Sequence, residues 1–148
     1  MNVLVTGAAG FVGGHLVREL GSNGHNVIAT MNNGENPLPG ILTIAADLNN
    51  YNEVEERIDF KKIDAIIHLA GLAVVGASFD RPRDYVAINT GIQINLFEAC
   101  LRQGTNPNFL IISSGTLYDP KQPMPLNESS RVAATSPYVV SKVAQESL

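Results

Sequence analysis

The amino-acid sequence predicts an α/β fold in which helices wrap both faces of a parallel sheet. Short apolar runs alternate with longer segments of helical periodicity along the chain. The runs lack the polar alternation of a strand with one wet face, as expected of strands buried on both sides. The connections between them are short, which favours strand–helix–strand crossovers and a doubly wound sheet.

The elements follow in order. Val3 to Val5 reads as a buried strand, and Gly10 to Leu20 as a helix with Val12, Leu16 and Leu20 at helical spacing. Val27 to Thr30 is a second strand and Leu42 to Ala45 a third. Tyr51 to Ile58, with Val54 and Ile58 four apart, forms a short helix before a fourth strand at Ala65 to Leu69. Asp84 to Leu101 is a long helix, Phe109 to Ser113 a fifth strand, and Pro137 to Leu148 a helix that reaches the last residue. Between Tyr118 and Pro137 the prolines at 120, 123, 125 and 137 oppose regular structure, and a loop of that length inside a compact domain is usually functional. A helix beginning at Pro137 should feed another parallel strand, so the expectation is one domain, 1–148, truncated before its last strand and a further C-terminal domain. An exposed sheet edge is a liability that proteins avoid.

Composition narrows the function classes. Hydrophobic residues make up 45% and charged residues 16% of the chain, the balance of an ordinary globular domain. The net charge of −4 contains no basic run, which argues against nucleic acid or an anionic membrane as partner. Cys100 is the only cysteine, so no intrachain disulfide exists and a reducing compartment fits. His15, His25 and His68 are scattered, and no metal site is expected. No stretch approaches the roughly 20 apolar residues of a membrane span, and the opening run is too short for a signal peptide. The expected location is the cytoplasm.

Thr6-Gly7-Ala8-Ala9-Gly10-Phe11-Val12-Gly13-Gly14 follows the first strand and opens the first helix. Gly7 permits a tight turn, Gly10 lets backbone approach a pyrophosphate, and Gly13 lets the helix lie close on the strand. Free N–H groups and the helix dipole then favour the phosphate charge, as in Rossmann folds. An acid about 20 residues further on usually grips the adenosine ribose. Here Met31-Asn32-Asn33-Gly34 stands in its place, without an arginine for a 2′-phosphate. Asn32 and Asn33 can bond a ribose or a phosphate, so NAD and NADP both remain open.

Two further segments carry chemistry. Tyr138 and Lys142 stand four apart on a predicted helix, which stacks them on one face. A nearby ammonium favours a phenolate, so such a tyrosine can exchange a proton with an alcohol or carbonyl. Ser113 and Ser114 sit at the carboxyl end of the fifth strand, the edge where ligands bind in such sheets. Ser113 reads as a loop cap.

The G-x-x-G-x-x-G spacing from Gly7 to Gly13, Ser113-Ser114-Gly115-Thr116-Leu117-Tyr118 and Tyr138-x-x-x-Lys142 together resemble the extended short-chain dehydrogenase/reductases, the NAD-dependent epimerase/dehydratase family. The resemblance covers essentially the whole chain. It implies Ser114, Tyr138 and Lys142 as catalytic residues, with Tyr138 and Lys142 also at the cofactor. It places Phe11 and Val12 with the glycines at the dinucleotide and makes Asp47 and Leu48 an adenine contact, where the alternative for Asp47 is a helix cap. Leu69, Ala70 and Gly71 would line the cofactor through their backbone, and Asn89 would bond near the nicotinamide. Thr116 offers the sugar a second hydroxyl.

The departures are specific. Tyr118-Asp119 replaces the usual Tyr-Gly, Asn89 to Gln93 follows the family pattern only in part, and Ala73 stands where a galactose epimerase often has lysine. Gly115 and Thr116 occupy the places of the acids that remove water in dehydratases. The resemblance therefore implies an NAD(P)-dependent nucleotide-sugar epimerase or 4-keto-sugar reductase, with a 4,6-dehydratase or a non-enzymatic dinucleotide sensor as alternatives. Ser136 to Glu146 looks most like GDP-mannose dehydratases and related reductases. The implied substrate is a UDP-, GDP- or dTDP-linked sugar, the implied assembly a homodimer of the full-length enzyme, and the fragment alone could be inactive.

Overall fold

The computed structural model describes residues 1–32 and 37–148, which divide into two compact units. The first unit comprises Met1–Ala70 and Ile92–Ile112. Its described residues hold five strands, β1 (Asn2–Thr6), β2 (Asn26–Met31), β3 (Leu42–Ala45), β4 (Ala65–His68) and β5 (Asn108–Ile111). All neighbours are parallel and the spatial order is β3-β2-β1-β4-β5, so the sheet is doubly wound from β1 outward. Strand β1 shows why the apolar runs are continuous. Val3 and Val5 join one core cluster with Val17, Val27 and Ala29, while Leu4, pointing to the opposite face, is fully buried as well.

Helix α1 (Phe11–Ser22) lays Val17 and Gly13 inward, with Leu16 and Leu20 partly buried beside the same cluster. Val12, expected on that stripe, is 59% exposed. The helix begins so close to the strand that Gly13, one position on, takes the inward place. Helix α2 (Tyr51–Arg57) is capped by Asn50, whose side chain accepts the Asn52 N–H. The outer strands are wetter than the sequence suggests. Leu42 on β3 and Leu110 on β5 are both more than half exposed, because an edge strand has a neighbour on one side only.

The second unit comprises Gly71–Gly91 and Ser113–Leu148. It contains the short helix α3 (Ala77–Asp80), the first part of the long helix α4 (Pro82–Arg102), a single turn at Gly115–Leu117 and helix α5 (Pro137–Ser147). Tyr85, Leu117, Tyr138 and Val139 form its core, with Leu72, Ala77 and Val143 against them. Ser136 caps α5 by accepting the Val139 N–H, and Pro137 takes the first helical position, where a missing N–H costs nothing.

The proline-rich segment is more ordered than expected. Tyr118 and Val132 form an antiparallel bridge, Asp119 N–H donates to the Arg131 carbonyl at 2.9 Å, and the Asp119 carboxylate pairs with the Arg131 guanidinium. Gln122 bonds both the N–H and the carbonyl of Arg131. Helix α3 has no counterpart in the sequence reading, and the fifth strand ends at Ile111 rather than Ser113.

Candidate functional site

In the first unit the chain turns sharply out of β1 at Gly7, whose φ of +68° is a conformation that L side chains rarely adopt. A Cβ on Gly7 would lie 2.8 Å from the Ala70 nitrogen, so the turn packs directly on the backbone after β4. Gly10 N–H donates to the Gly7 carbonyl at 3.0 Å, and Gly10 then sits before α1 with no side chain to cap it. A Cβ on Gly10 would meet only the Gly7 oxygen, at 3.2 Å. One on Gly13 would lie 2.3 Å from that same oxygen and 2.7 Å from Ala8 Cα. The first turn of a twelve-residue helix is thus presented over glycine backbone, a cradle that side chains would fill and that fits the pyrophosphate of a dinucleotide. Phe11 and Val12, both exposed, open that helix.

Thr6, which the sequence reading passed over, ties this turn to β4. Its Oγ1 accepts the N–H groups of Leu69 and Ala70, each at 3.1 Å, and bonds His68 Nδ1 at 2.7 Å. Leu69 and Ala70 therefore spend their donors on Thr6. Asp47 is exposed and Leu48 buried. Asp47 does not cap α2, the role Asn50 fills. Its Oδ1 instead accepts the Asn49 N–H at 2.9 Å, and its own N–H donates to Glu53. Asn32 is exposed at the end of β2, and Asn33 lies outside the described residues.

In the second unit Ser114 and Thr116 share a hydroxyl–hydroxyl bond of 2.8 Å, and Ser114 Oγ also accepts the Thr116 N–H at 3.3 Å. Ser114, not Ser113, is thus the residue that caps this turn, and Ser113 Oγ is buried without a hydrogen bond. The neighbouring Leu117 packs with Tyr138 and Val139. Tyr138 is 8% exposed, edge-on to Tyr85, and Lys142 Nζ stands 6.0 Å from the centre of its ring. Burial holds the Lys142 ammonium below the ordinary lysine value. The helical spacing therefore does bring the two side chains together.

Asn89 is fully buried within α4. Its Oδ1 accepts the Leu72 N–H at 2.7 Å, and its Nδ2 donates to the Leu72 carbonyl and to Ser141 Oγ. Gly71 makes room for this amide, since a Cβ there would lie 2.7 Å from Asn89 Oδ1. The sequence reading missed Ser141, although its place directly before Lys142 was a signal.

The family model for the "NAD dependent epimerase/dehydratase family" matches residues 3–148. The chain belongs to this family. A UDP-glucose 4-epimerase of Caenorhabditis elegans is 32% identical over all of this chain and 48% of its own length. The chain thus spans about half the length of the curated relatives it matches. A UDP-glucose 4-epimerase from Stenotrophomonas maltophila, solved with NAD and formylated UDP-arabinopyranose, superposes with a TM-score of 0.89 at 28% identity, over 99% of this chain and 47% of that one. The enzyme from Bifidobacterium longum, solved with NAD+ and UDP, gives 0.88 at 29% identity over the same shares. These three relatives are UDP-glucose 4-epimerases. Among the described residues no helix is long and apolar enough to cross a membrane, and no three His, Cys, Asp or Glu side chains cluster.

Proposed function

We propose that this chain is the dinucleotide-binding part of an NAD-dependent UDP-sugar 4-epimerase. The observation that carries the reading is the buried turn of α5 on which Tyr138 and Lys142 stand together, with the ammonium 6.0 Å from the ring. The glycine turn after β1 holds a pyrophosphate through the N–H groups that open α1. A nicotinamide cofactor bound there would supply reversible hydride transfer at the sugar carbon.

Tyr138 takes the proton of the sugar hydroxyl as its carbon–hydrogen bond breaks. It gives the proton back when that bond re-forms on the other face, so the reaction has no net oxidation. Lys142 keeps a positive charge beside the phenol through both steps. Ser114, fixed by Thr116, donates a hydrogen bond to the reacting oxygen. Elimination of water needs an acid, which Gly115 and Thr116 do not supply. The relatives solved with NAD and a UDP compound favour NAD and a UDP-linked sugar over NADP and GDP- or dTDP-sugars.

Two measurements test this. Fluorescence titration should show NADH bound more tightly than NADPH, and binding of neither overturns the cofactor reading. Interconversion of UDP-glucose and UDP-galactose, followed by NMR, should fall about 10²–10⁴-fold in Tyr138→Phe. Measured in a full-length enzyme carrying this chain, turnover unchanged by that substitution removes Tyr138 from the mechanism, and NADH binding without any turnover rejects the epimerase.

A further inference from the structure

Helix α5 is gripped by α4 through polar groups that reach no water. Asn89 and Ser141 are both fully buried, and Gln145 nearly so. An asparagine amide has two donors and one oxygen with two lone pairs. At Asn89 both donors and one lone pair are used, on the two backbone groups of Leu72 and on Ser141 Oγ at 2.9 Å. Ser141 in turn donates its proton to the Tyr138 carbonyl at 2.7 Å. One turn further along α5, Gln145 Nε2 donates to the Asn89 carbonyl at 3.0 Å. The connected atoms therefore run from Leu72 through Asn89 and Ser141 to the backbone of Tyr138, with Gln145 as a second tie.

We propose that Asn89 and Ser141 are positioning residues, a buried clamp that fixes the rotation and register of the α5 turn bearing Tyr138 and Lys142. An apolar pair could hold the two helices together equally well, but without direction. Hydrogen bonds set an angle, and the angle is what this turn needs. Side-chain tips lie about 5–6 Å from a helix axis, so a rotation of ~10° moves them by about 1 Å. A displacement of about 1 Å at reacting groups costs on the order of 100-fold in rate. Ser141 and Gln145 form one stripe of α5, and Tyr138 and Lys142 form another. The first stripe is held so that the second is aimed. On this view Asn89 acts through α5 and does not touch the cofactor itself. Gly71 belongs to the device, because only a residue without Cβ leaves the amide its place beside Leu72.

The effect on turnover rests on the function proposed above, whereas the clamp itself is read on Lys142. Competitive acylation with acetic anhydride across pH, analysed by mass spectrometry, follows Lys61, Lys62, Lys121 and Lys142 in the intact protein. In Ser141→Ala the midpoint of Lys142 labelling should move up toward the ordinary lysine value of 10.5, and the limiting labelling rate above that midpoint, which reads access to the amine, should rise several-fold. The other three lysines should keep their profiles. Ser141→Thr, which retains the hydroxyl, should restore the native profile. Ser141→Cys, nearly isosteric and a poor hydrogen-bonding partner, serves if the alanine variant does not fold. A lower melting temperature with an unchanged Lys142 profile overturns the proposal and leaves Ser141 a packing residue. Where UDP-glucose is turned over, kcat should fall about 10–100-fold at unchanged KM. A shifted Lys142 profile in a full-length enzyme that turns over no UDP-sugar upholds the clamp and rejects the epimerase reading.

Discussion

Replacing Gly13 by alanine and replacing its neighbour Gly14 by alanine are the same chemical change, and the structure gives them opposite signs. Both lie in α1, where alanine is favoured over glycine by about 1 kcal/mol. At Gly14 the nearest atom to the added Cβ is the Ala8 oxygen at 4.0 Å, an ordinary contact. That variant should gain about 0.5–1 kcal/mol. At Gly13 the Cβ would stand 2.3 Å from the Gly7 oxygen and within 2.8 Å of two Ala8 atoms. All three are backbone, so no side chain can swing away, and relief requires the helix to withdraw by about 1 Å from the strand. Overpacking of this kind costs typically 1–3 kcal/mol and sometimes more, and a rigid backbone obstacle belongs at the upper end. After the propensity gain, Gly13→Ala should lose about 2–4 kcal/mol, which separates the two variants by about 2.5–5 kcal/mol. For a chain of this size that is a gap on the order of 10 °C in melting temperature. Urea unfolding followed by far-ultraviolet circular dichroism measures it directly. A Gly13→Ala protein as stable as the native one, or a Gly14→Ala protein as damaged as Gly13→Ala, refutes the close helix–strand contact on which the cradle depends.

Other perturbations reach different parts of the same machinery. Thr6→Val keeps the volume but removes the side-chain partner of the Ala70 N–H, while the Leu69 N–H keeps the Thr6 carbonyl at 3.3 Å. The change should cost about 1–3 kcal/mol in denaturant titration. A loss below about 0.5 kcal/mol would show that the bonds contribute little. Lys142→Met should raise the melting temperature at neutral pH. Burial lowers the folded-state pKa below 10.5, so the charged form opposes folding until the pH rises through that lowered value. The advantage of the methionine should therefore shrink as the pH climbs toward 10.5, and an advantage constant with pH contradicts the linkage. At Asp119 the sign reverses. The Lys121 N–H and the Arg131 guanidinium hold its carboxyl below 3.8, so its contribution is present above that value and is lost as the pH falls through the folded pKa. Asp119→Asn should melt below the native protein at pH 7 and match it in strong acid. Equal melting temperatures at pH 7 would show that the bridge between Tyr118 and Val132 holds without the ion pair.

The elements legible in the sequence are those whose cause is local. β1 is readable because burial on both faces erases alternation over Val3-Leu4-Val5, and the glycine turn because φ of +68° and contacts under 3 Å exclude other residues from Gly7 and Gly13. Tyr138 and Lys142 are readable because helical periodicity alone puts residues four apart on one face. The exposure of the edge strands is not legible, for a matching reason. A run such as Leu42 to Ala45 looks the same whether it has one neighbour or two, and only the strand order shows that β3 lies outermost. The clip between Asp119 and Arg131 was invisible because its partners are twelve residues apart in a segment that proline removes from any period.

Asn89 shows where such reading stops. Position in a helix and residue type point to a buried amide that needs partners, and both statements hold. They do not say which partners. A cofactor and a neighbouring backbone satisfy the same donors and acceptors, and the sequence weighs them equally. The bond inventory names three of the partners, Leu72 twice and Ser141 once, and leaves the amide a single lone pair. The same inventory moves Ser114 from a free hydroxyl to one already oriented by Thr116, and it turns Thr6 from a strand residue into the knot between β1 and β4. In each case a polar group looks available until its bonds are counted. The groups that remain to act on a ligand are then fewer than the motif suggests, and they are better aimed. For the pair on α5 this means that the geometry of Tyr138 and Lys142 is set by residues with no chemistry of their own, so substitutions at Ser141 should change how the pair works before they change whether the protein folds.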